Sequence, residues 1–234
     1  RFETQLNPDT QVLPVNGTRE GLFSIAQSVL PGGKSSLVGM PNPFYQIYEG
    51  AGILAGSNPY FLNCFEDTNF QPNFEEVDAS TWTKCELLYI CTPGNPSGAA
   101  ISLETMKHLI QLSDEHNFVI VSDECYSEIY HTESSPPPGI LQACDKLNRG
   151  SYKNCLVFNS LSKRSNLPGL RSGFVAGDAK LIENFLLYRT YHGSAMPLHH
   201  QFVSALAWAD EDHVVKNRSL YREKVSEVIK ILET

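Results

Sequence analysis

The sequence predicts an α/β fold, a three-layer α/β/α sandwich built around a mostly parallel sheet. Two observations lead to this prediction: short apolar runs, and segments with helical spacing between them. The apolar runs are continuous, as is typical of strands covered on both faces, and they lie at residues 11–15, 87–91, 118–122, 156–159 and 173–176. Because strand-like and helical patterns alternate along the chain, we expect a largely parallel sheet.

Two helices are marked by their spacing. One begins near Thr18, and its apolar face comprises Leu22, Ile25, Ala26 and Val29. The other follows Ser102, a residue type that caps helix N-termini, and its apolar face comprises Leu103, Met106, Leu109 and Ile110. Residues 208–234 alternate charged and apolar residues, which predicts a long surface helix or a pair of helices. We therefore expect a main domain over residues 1–210 and a helical segment, residues 211–234, that leads out of it.

The composition excludes several classes of protein. Of the 234 residues, 41% are apolar and 19% are charged, which is ordinary for a globular protein. The net charge of −8 argues against nucleic-acid and anionic-membrane partners. The six cysteines show no metal-ligand spacing, so we expect reduced thiols and no metal site. With no apolar run long enough to cross a bilayer and no visible signal peptide, the expected location is the cytoplasm.

The first chemical motif is Ser160-Leu161-Ser162-Lys163-Arg164, which directly follows an apolar run. Side chains that leave the carboxyl end of a strand point into the crevice where α/β proteins bind ligands. A partly buried lysine there can attack a carbonyl carbon, and the hydroxyls together with Arg171 offer an anion site. Taken alone, the motif is more typical of a solvated surface lysine and of an arginine that only forms a salt bridge.

Two further motifs follow apolar runs. Asp123 comes directly after the apolar run at 118–122, and Tyr126 lies three residues later. A carboxylate in this place either caps a helix or pairs with a protonated ring nitrogen. Asn95 lies in Pro93-Gly94-Asn95-Pro96-Ser97-Gly98, which is a plain turn or a source of an amide donor. Each motif on its own favours the structural interpretation.

The remaining signals lie nearer the N-terminus. Asn16-Gly17-Thr18-Arg19 opens a helix, where free backbone amides can donate to a phosphate, although taken alone the motif is more typical of an ordinary N-cap. Tyr45 offers a ring for stacking, although most such aromatics belong to the core. No signal is specific singly. Their order along the chain is the informative feature.

In that order the motifs resemble those of the fold-type I, pyridoxal-phosphate-dependent aminotransferases, over nearly all of the chain. The resemblance implies that Lys163 holds pyridoxal 5'-phosphate as a Schiff base and moves the substrate proton. It implies that Asp123 pairs with the pyridine nitrogen, that Tyr126 and Asn95 contact the phenolic oxygen, and that Tyr45 stacks on the ring. The residues implied around the phosphate are Gly17, Thr18, Arg19 (mainly through its backbone amide), Ser160, Ser162 and Arg171.

Residues 160–178 and 188–196 show a narrower resemblance, to the bacterial N-succinyldiaminopimelate aminotransferases. It implies amino transfer between glutamate and N-succinyl-2-amino-6-oxopimelate in lysine and diaminopimelate biosynthesis. It also implies amino-acid and 2-oxo-acid substrates and a homodimer, with residues 188–196 as a loop that crosses the interface. The alternatives are an aspartate, alanine or aromatic aminotransferase, a related lyase or decarboxylase, and a regulator with an aminotransferase-like sensor domain.

The two ends of the sequence suggest a fragment. The chain opens at Arg1 rather than Met and closes inside a helical pattern. The resemblance implies that the arginine for the substrate α-carboxylate belongs to a C-terminal small domain, since Arg189, Arg218 and Arg222 come too early for that role. We therefore expect this chain alone to bind substrate poorly.

Overall fold

The computed structural model describes residues 2–31, 35–193 and 195–233. In these residues seven strands form one sheet in the order β1-β7-β6-β5-β4-β2-β3. The strands are β1 (Val12–Val15), β2 (Leu37–Asn42), β3 (Asn58–Asn63), β4 (Cys85–Cys91), β5 (Val119–Asp123), β6 (Cys155–Ser160) and β7 (Gly173–Gly177). Strand β7 is antiparallel to β1 and β6, whereas the other neighbouring pairs in this sheet are parallel. The predicted mostly parallel sheet is confirmed.

The helices cover both faces of the sheet. They are α1 (Thr18–Val29), α2 (Ile47–Leu54), α3 (Ala79–Lys84), α4 (Leu103–His116), α5 (Ile140–Lys146), α6 (Leu161–Arg164), α7 (Ala179–His192), α8 (Leu198–Ala209) and α9 (Asp212–Leu232), with single 3₁₀ turns at Glu66–Thr68 and Pro168–Leu170. Alternate residues of β4 enter different cores: Leu87 and Tyr89 pack with α1, α2 and α7, whereas Leu88 and Ile90 pack with α4 and α5. Two cores on opposite faces make this the predicted three-layer sandwich.

All five predicted strands are present, but β2 and β3 were missed. Glycine and proline interrupt β2 (Leu-Val-Gly-Met-Pro-Asn), and proline with two asparagines leaves only three consecutive apolar residues in β3 (Asn-Pro-Tyr-Phe-Leu-Asn). Proline cannot donate a ladder hydrogen bond, and strand β3 tolerates Pro59 because it lies at the edge of the sheet.

Both predicted helices are confirmed. Helix α1 begins at Thr18, and Ser102 caps α4 by accepting a hydrogen bond from the Thr105 amide at 3.0 Å. The segment 208–234 contains the end of α8 and one 21-residue helix, α9. The expected loop at 188–196 is wrong in its first half, because helix α7 continues to His192. Ser194, within that segment, lies outside the described residues. The boundary between a main domain at 1–210 and a segment at 211–234 stays a prediction.

The direction of the strands decides where the site lies. Strands β1, β4, β5 and β6 run the same way, so their carboxyl ends meet at one edge of the sheet. The antiparallel strand β7 begins at that edge, where Gly173 pairs with both Val15 and Ser160. In the part of the chain that the structure describes, no helix has the length and apolar character needed to span a membrane.

Candidate active site

A cleft of about 480 Å³ opens at this edge of the sheet. Its walls come from the segments that follow β1, β2, β4, β5 and β6 and from the turn before β7. The lining residues are Thr18, Arg19, Tyr45, Asn95, Asp123, Cys125, Tyr126, Ser160, Ser162, Lys163, Pro168 and Arg171. The structure thus brings every predicted site residue except Gly17 to the wall of one cleft, and Gly17 lies directly behind Arg171.

Asp123 lies at the floor of the cleft as the last residue of β5, with 5% of its surface exposed. Its carboxylate accepts hydrogen bonds from the Tyr48 hydroxyl at 2.8 Å and from the Cys125 amide at 3.2 Å. Burial raises the pKa of Asp123, and these donors oppose that rise. The interpretation of Asp123 as a simple helix cap is disfavoured, since β5 is followed by a turn and not by a helix.

Tyr48 was missed by the sequence analysis. It is fully buried and stacks on Tyr89, with ring centroids 4.7 Å apart. Burial, followed by the nearby charge of Asp123, raises the pKa of Tyr48 well above its usual value. The hydroxyl therefore stays protonated and donates a hydrogen bond to the Asp123 carboxylate. In the sequence Tyr48 is one aromatic residue among several, and it lies 75 positions from its partner.

Gly17 holds the start of α1 open toward the cleft. Its φ of 77° lies in the left-handed region, and a Cβ added there would lie 2.2 Å from Nη2 of Arg171. The Gly17 amide is occupied, because it donates to the Val15 carbonyl at 2.8 Å. Gly17 therefore supplies space and backbone shape, and the first-turn amides of Thr18 and Arg19, which have no acceptor within the helix, supply the donors.

Arg171 fixes the opposite side of this anion site. Its guanidinium donates to the carbonyl of Pro168 at 2.7 Å and, at 3.4 Å, to that of Asn16. These contacts tie the turn before β7 to the segment after β1. Arg171 is exposed at the mouth of the cleft, where a guanidinium can pair with an oxyanion.

Hydroxyl and thiol groups line the space between α1 and α6. The Cys125 thiol lies 3.1 Å from Thr18 Oγ1 and 3.5 Å from Ser160 Oγ, and the Ser160 hydroxyl accepts from the Ser162 amide at 3.3 Å. Burial raises the pKa of Cys125 well above its usual value, so the thiol is neutral and does not repel an anion. Cys125 was missed because a lone cysteine beside a strand is usually only a core residue.

Lys163 and Tyr126 face each other across the cleft. Lys163 lies in the single turn α6, half-buried, and its Nζ is 5.7 Å from the centroid of the Tyr126 ring. On the near side Arg19 holds Tyr45, because Nε donates to the tyrosine hydroxyl at 2.6 Å and the guanidinium lies 5.6 Å from the ring centroid. The site thus combines an amine, a buried carboxylate, an aromatic wall and an anion pocket.

Comparison with known proteins identifies the family of the chain. The profile described as "Aminotransferase class I and II" matches residues 1–234. The chain belongs to the class I and II aminotransferases. Like other members, it is similar to solved aminotransferase structures: one from Neisseria meningitidis, at 50% identity with a TM-score of 0.94, and AspB from Helicobacter pylori, at 36% identity with a TM-score of 0.90. The chain covers 59% and 58% of those structures, which in turn cover 100% and 95% of it.

Two curated relatives are named after a particular substrate. The LL-diaminopimelate aminotransferase of Aquifex aeolicus is 34% identical over all of this chain, and that of Dehalococcoides mccartyi is 30% identical over 99% of it. The chain spans 58% of the length of each relative. A structure described as a probable N-succinyldiaminopimelate aminotransferase, from Thermus thermophilus, has a TM-score of 0.90 at 20% identity, covering 100% of this chain and 61% of its own; this likeness shows the shared fold.

The cleft of this aminotransferase fits the cofactor that the family implies, pyridoxal 5'-phosphate. Its three charged features match the groups of that cofactor: Arg171 beside the first turn of α1 for the phosphate, the Asp123 carboxylate for the pyridine nitrogen, and the Lys163 amine for the aldehyde. A Cβ at position 17 would occupy the space beside the Arg171 guanidinium, and glycine leaves that space open. The residues present therefore agree with the group.

Proposed function

We propose that this chain forms the pyridoxal-phosphate site of an enzyme that transfers an amino group between an amino acid and a 2-oxo acid. One observation carries the proposal: Lys163, Asp123 and Arg171, which are 40 and 8 positions apart in the sequence, line a single cleft. When bound, the cofactor supplies an electron sink that stabilises a carbanion at the substrate α-carbon.

Each side chain then has a definite task. The Asp123 carboxylate holds a proton on the ring nitrogen, and the Tyr48 hydroxyl orients that carboxylate. The Tyr45 ring covers one face of the cofactor, while Asn95 and Tyr126 donate to its phenolic oxygen. The phosphate would be held by amides and hydroxyls at the starts of α1 and α6 and by a guanidinium, from Thr18, Arg19, Ser160, Ser162 and Arg171, with Gly17 leaving the space for it.

Lys163 acts as the general base and then as the general acid. With the cofactor bound, the Lys163 amine would hold it through its aldehyde carbon, and the same amine, when free, would be within the cleft to move the substrate proton. The free amine removes the α-proton and returns it on the same side of the cleft. Because one group performs both transfers, the loss of Lys163 should stop both halves of the reaction.

The finer proposal concerns the substrate. We assign the amino acceptor as N-succinyl-2-amino-6-oxopimelate, with glutamate as donor, in the lysine and diaminopimelate pathway. The motif similarity at residues 160–178 supports this assignment. The relatives named LL-diaminopimelate aminotransferase support a second candidate reaction, in which LL-diaminopimelate is the amino compound. In the reverse direction both reactions start from a free 2-amino acid group, that of N-succinyl-LL-diaminopimelate or that of LL-diaminopimelate.

Covalent labelling tests the cofactor site. Purified protein is mixed with pyridoxal 5'-phosphate and reduced with borohydride, and the modified peptide is identified by mass spectrometry. We expect the label on Lys163 and no stoichiometric label in Lys163→Ala. The matched control is Lys180→Ala, which removes an exposed lysine that pairs with Glu183, and it should label as the parent does. Labelling that persists in Lys163→Ala would contradict the proposal.

A substrate panel on the complete gene product tests the reaction. N-succinyl-LL-diaminopimelate, LL-diaminopimelate, aspartate, alanine and phenylalanine are each offered with 2-oxoglutarate, and kcat/KM is compared. The proposal expects glutamate to form and the N-succinyl compound to lead. Preference for LL-diaminopimelate selects the second candidate, and preference for another amino acid overturns both. Product formed without 2-oxoglutarate would indicate a lyase or decarboxylase.

We also propose that the enzyme is a homodimer. Large apolar side chains on α7 and α8 are highly exposed, as is typical of an interface: Tyr191 at 81%, Leu198 at 71%, Phe202 at 73% and Leu206 at 74%. Sedimentation analysis of the complete gene product should give a dimer. Phe202→Glu combined with Leu206→Glu should give a monomer, whereas a dimer that survives both charges would place the interface elsewhere.

A further inference from the structure

The turn that carries Lys163 is too short to be stable without contacts to other elements. Helix α6 is a single turn of four residues, Leu161–Arg164, and the last carbonyls of any helix have no partner within it. The side chain of Asn217, on α9, donates to the carbonyl oxygens of Lys163 at 3.1 Å and Arg164 at 3.3 Å. A residue 54 positions further along the chain therefore caps the lysine turn.

A second set of contacts holds the same turn to the junction of α8 and α9. Arg164 is 5% exposed, and its guanidinium donates to the carbonyls of Ala207 at 3.0 Å and Trp208 at 3.3 Å. It also pairs with Glu211 and lies over the Trp208 ring, 4.9 Å from its centroid. Arg164 thus fixes the position of the turn. Asn217 acts one residue earlier, on the carbonyl of the lysine itself.

We infer that Asn217 is a positioning residue for Lys163, setting the direction in which the lysine side chain leaves the backbone. The inference rests on the proposed function, because it concerns how Lys163 reaches the cofactor. Rotation of the 163–164 peptide would move Nζ across the cleft, and the Asn217 amide resists that rotation by holding both carbonyls. A lysine held in this direction meets the cofactor aldehyde without first being ordered.

The test measures the rate at which apoprotein captures the cofactor. The complete gene product is stripped of cofactor, mixed with pyridoxal 5'-phosphate and reduced with borohydride at timed intervals, and the Lys163 peptide is quantified. In this reaction Nζ forms a bond to the aldehyde carbon with loss of water, and hydride from borohydride makes the bond permanent. Asn217→Asp keeps the shape but removes the donors, and Asn217→Ala removes the side chain. We expect each to slow capture by about threefold to tenfold, the effect of about one hydrogen bond.

Two matched variants separate positioning from general stability. Val214→Ala lies on the same helix, where the side chain is 1% exposed, and it should lower the melting temperature at least as much without slowing capture. Asn217→Gln keeps the amide donors and should restore most of the rate. Val214→Ala slowing capture equally, or both Asn217→Asp and Asn217→Ala capturing at the parent rate, would overturn the inference. A parent protein that captures no cofactor at Lys163 would instead overturn the proposed function.

Discussion

Replacing Tyr48 by phenylalanine removes one hydroxyl and leaves the ring stacked on Tyr89. The lost group donates to the Asp123 carboxylate at 2.8 Å, with Tyr48 fully buried and Asp123 5% exposed. Water has little access to the carboxylate left behind. Because hydrogen bonds to charged groups contribute about 1.5–3 kcal/mol, we expect Tyr48→Phe to lower the free energy of unfolding by about that amount at a pH above the folded pKa of Asp123.

The loss of stability in Tyr48→Phe should depend on pH, and the pKa of Asp123 sets the direction of that dependence. Burial raises the pKa of Asp123 above its ordinary value of 3.8, so the folded protein binds this proton more tightly than the unfolded chain does. The contribution of Asp123 to stability is therefore greatest in acid and falls as the pH rises through the folded pKa. The Tyr48 hydroxyl favours the ionised form and offsets part of that fall. Its loss should cost most above the folded pKa and only about 0.5–1.5 kcal/mol, the value for a neutral hydrogen bond, in acid.

Tyr89→Phe is the matched control. Its hydroxyl is equally buried and donates to the Leu22 carbonyl at 2.6 Å, an acceptor that does not titrate. Urea unfolding of both variants and the parent, at acid and neutral pH, measures the two differences. Tyr89→Phe should lose about 0.5–1.5 kcal/mol at both pH values. If the loss in Tyr48→Phe were as independent of pH as that in Tyr89→Phe, the assignment of an ionised Asp123 partner would be refuted.

Four further variants test the backbone, the cap and the core. Gly17→Ala should cost about 1–3 kcal/mol and weaken pyridoxal-phosphate binding in calorimetry, because the residue has positive φ and the added Cβ would lie 2.2 Å from Arg171 Nη2. Gly50→Ala, in helix α2 with open space around it, should instead stabilise by about 0.5–1 kcal/mol. Ser102→Ala removes the cap of α4 and should cost about 0.5–2 kcal/mol in urea unfolding, with no change in cofactor binding. Leu22→Ala opens a cavity at a fully buried position and should cost about 2–5 kcal/mol; a loss below that range would mean that α1 relaxes into the space.

Local patterns account for the parts of the fold that were predicted. A strand buried on both faces needs consecutive apolar residues, and β4, β5 and β6 supply them as Leu-Leu-Tyr-Ile-Cys, Val-Ile-Val and Cys-Leu-Val-Phe. The start of α4 was predicted because its cap depends on Ser102 and on an amide three residues away. Strands β2 and β3 escaped prediction because their pairing with neighbours overrides the unfavourable glycine and prolines within them.

The residues of the candidate site also fall into a predicted group and a missed group. Lys163, Asp123 and Asn95 follow strands that are visible in the sequence, and parallel strands bring their carboxyl ends to one edge of a sheet. The partners that orient these groups follow no such rule. Tyr48 reaches Asp123 from helix α2, and Asn217 reaches the Lys163 turn from helix α9.

The sequence by itself determined the α/β class, the main buried strands and most of the residues that line the cleft. These depend on local periodicity and on the single edge where parallel strands end. Only the tertiary structure decided which hydroxyl donates to Asp123, why position 17 must be glycine beside Arg171, and which side chain caps the Lys163 turn. Each of these depends on a distance of a few ångströms between segments far apart in sequence, and the packing of helices on the sheet sets those distances.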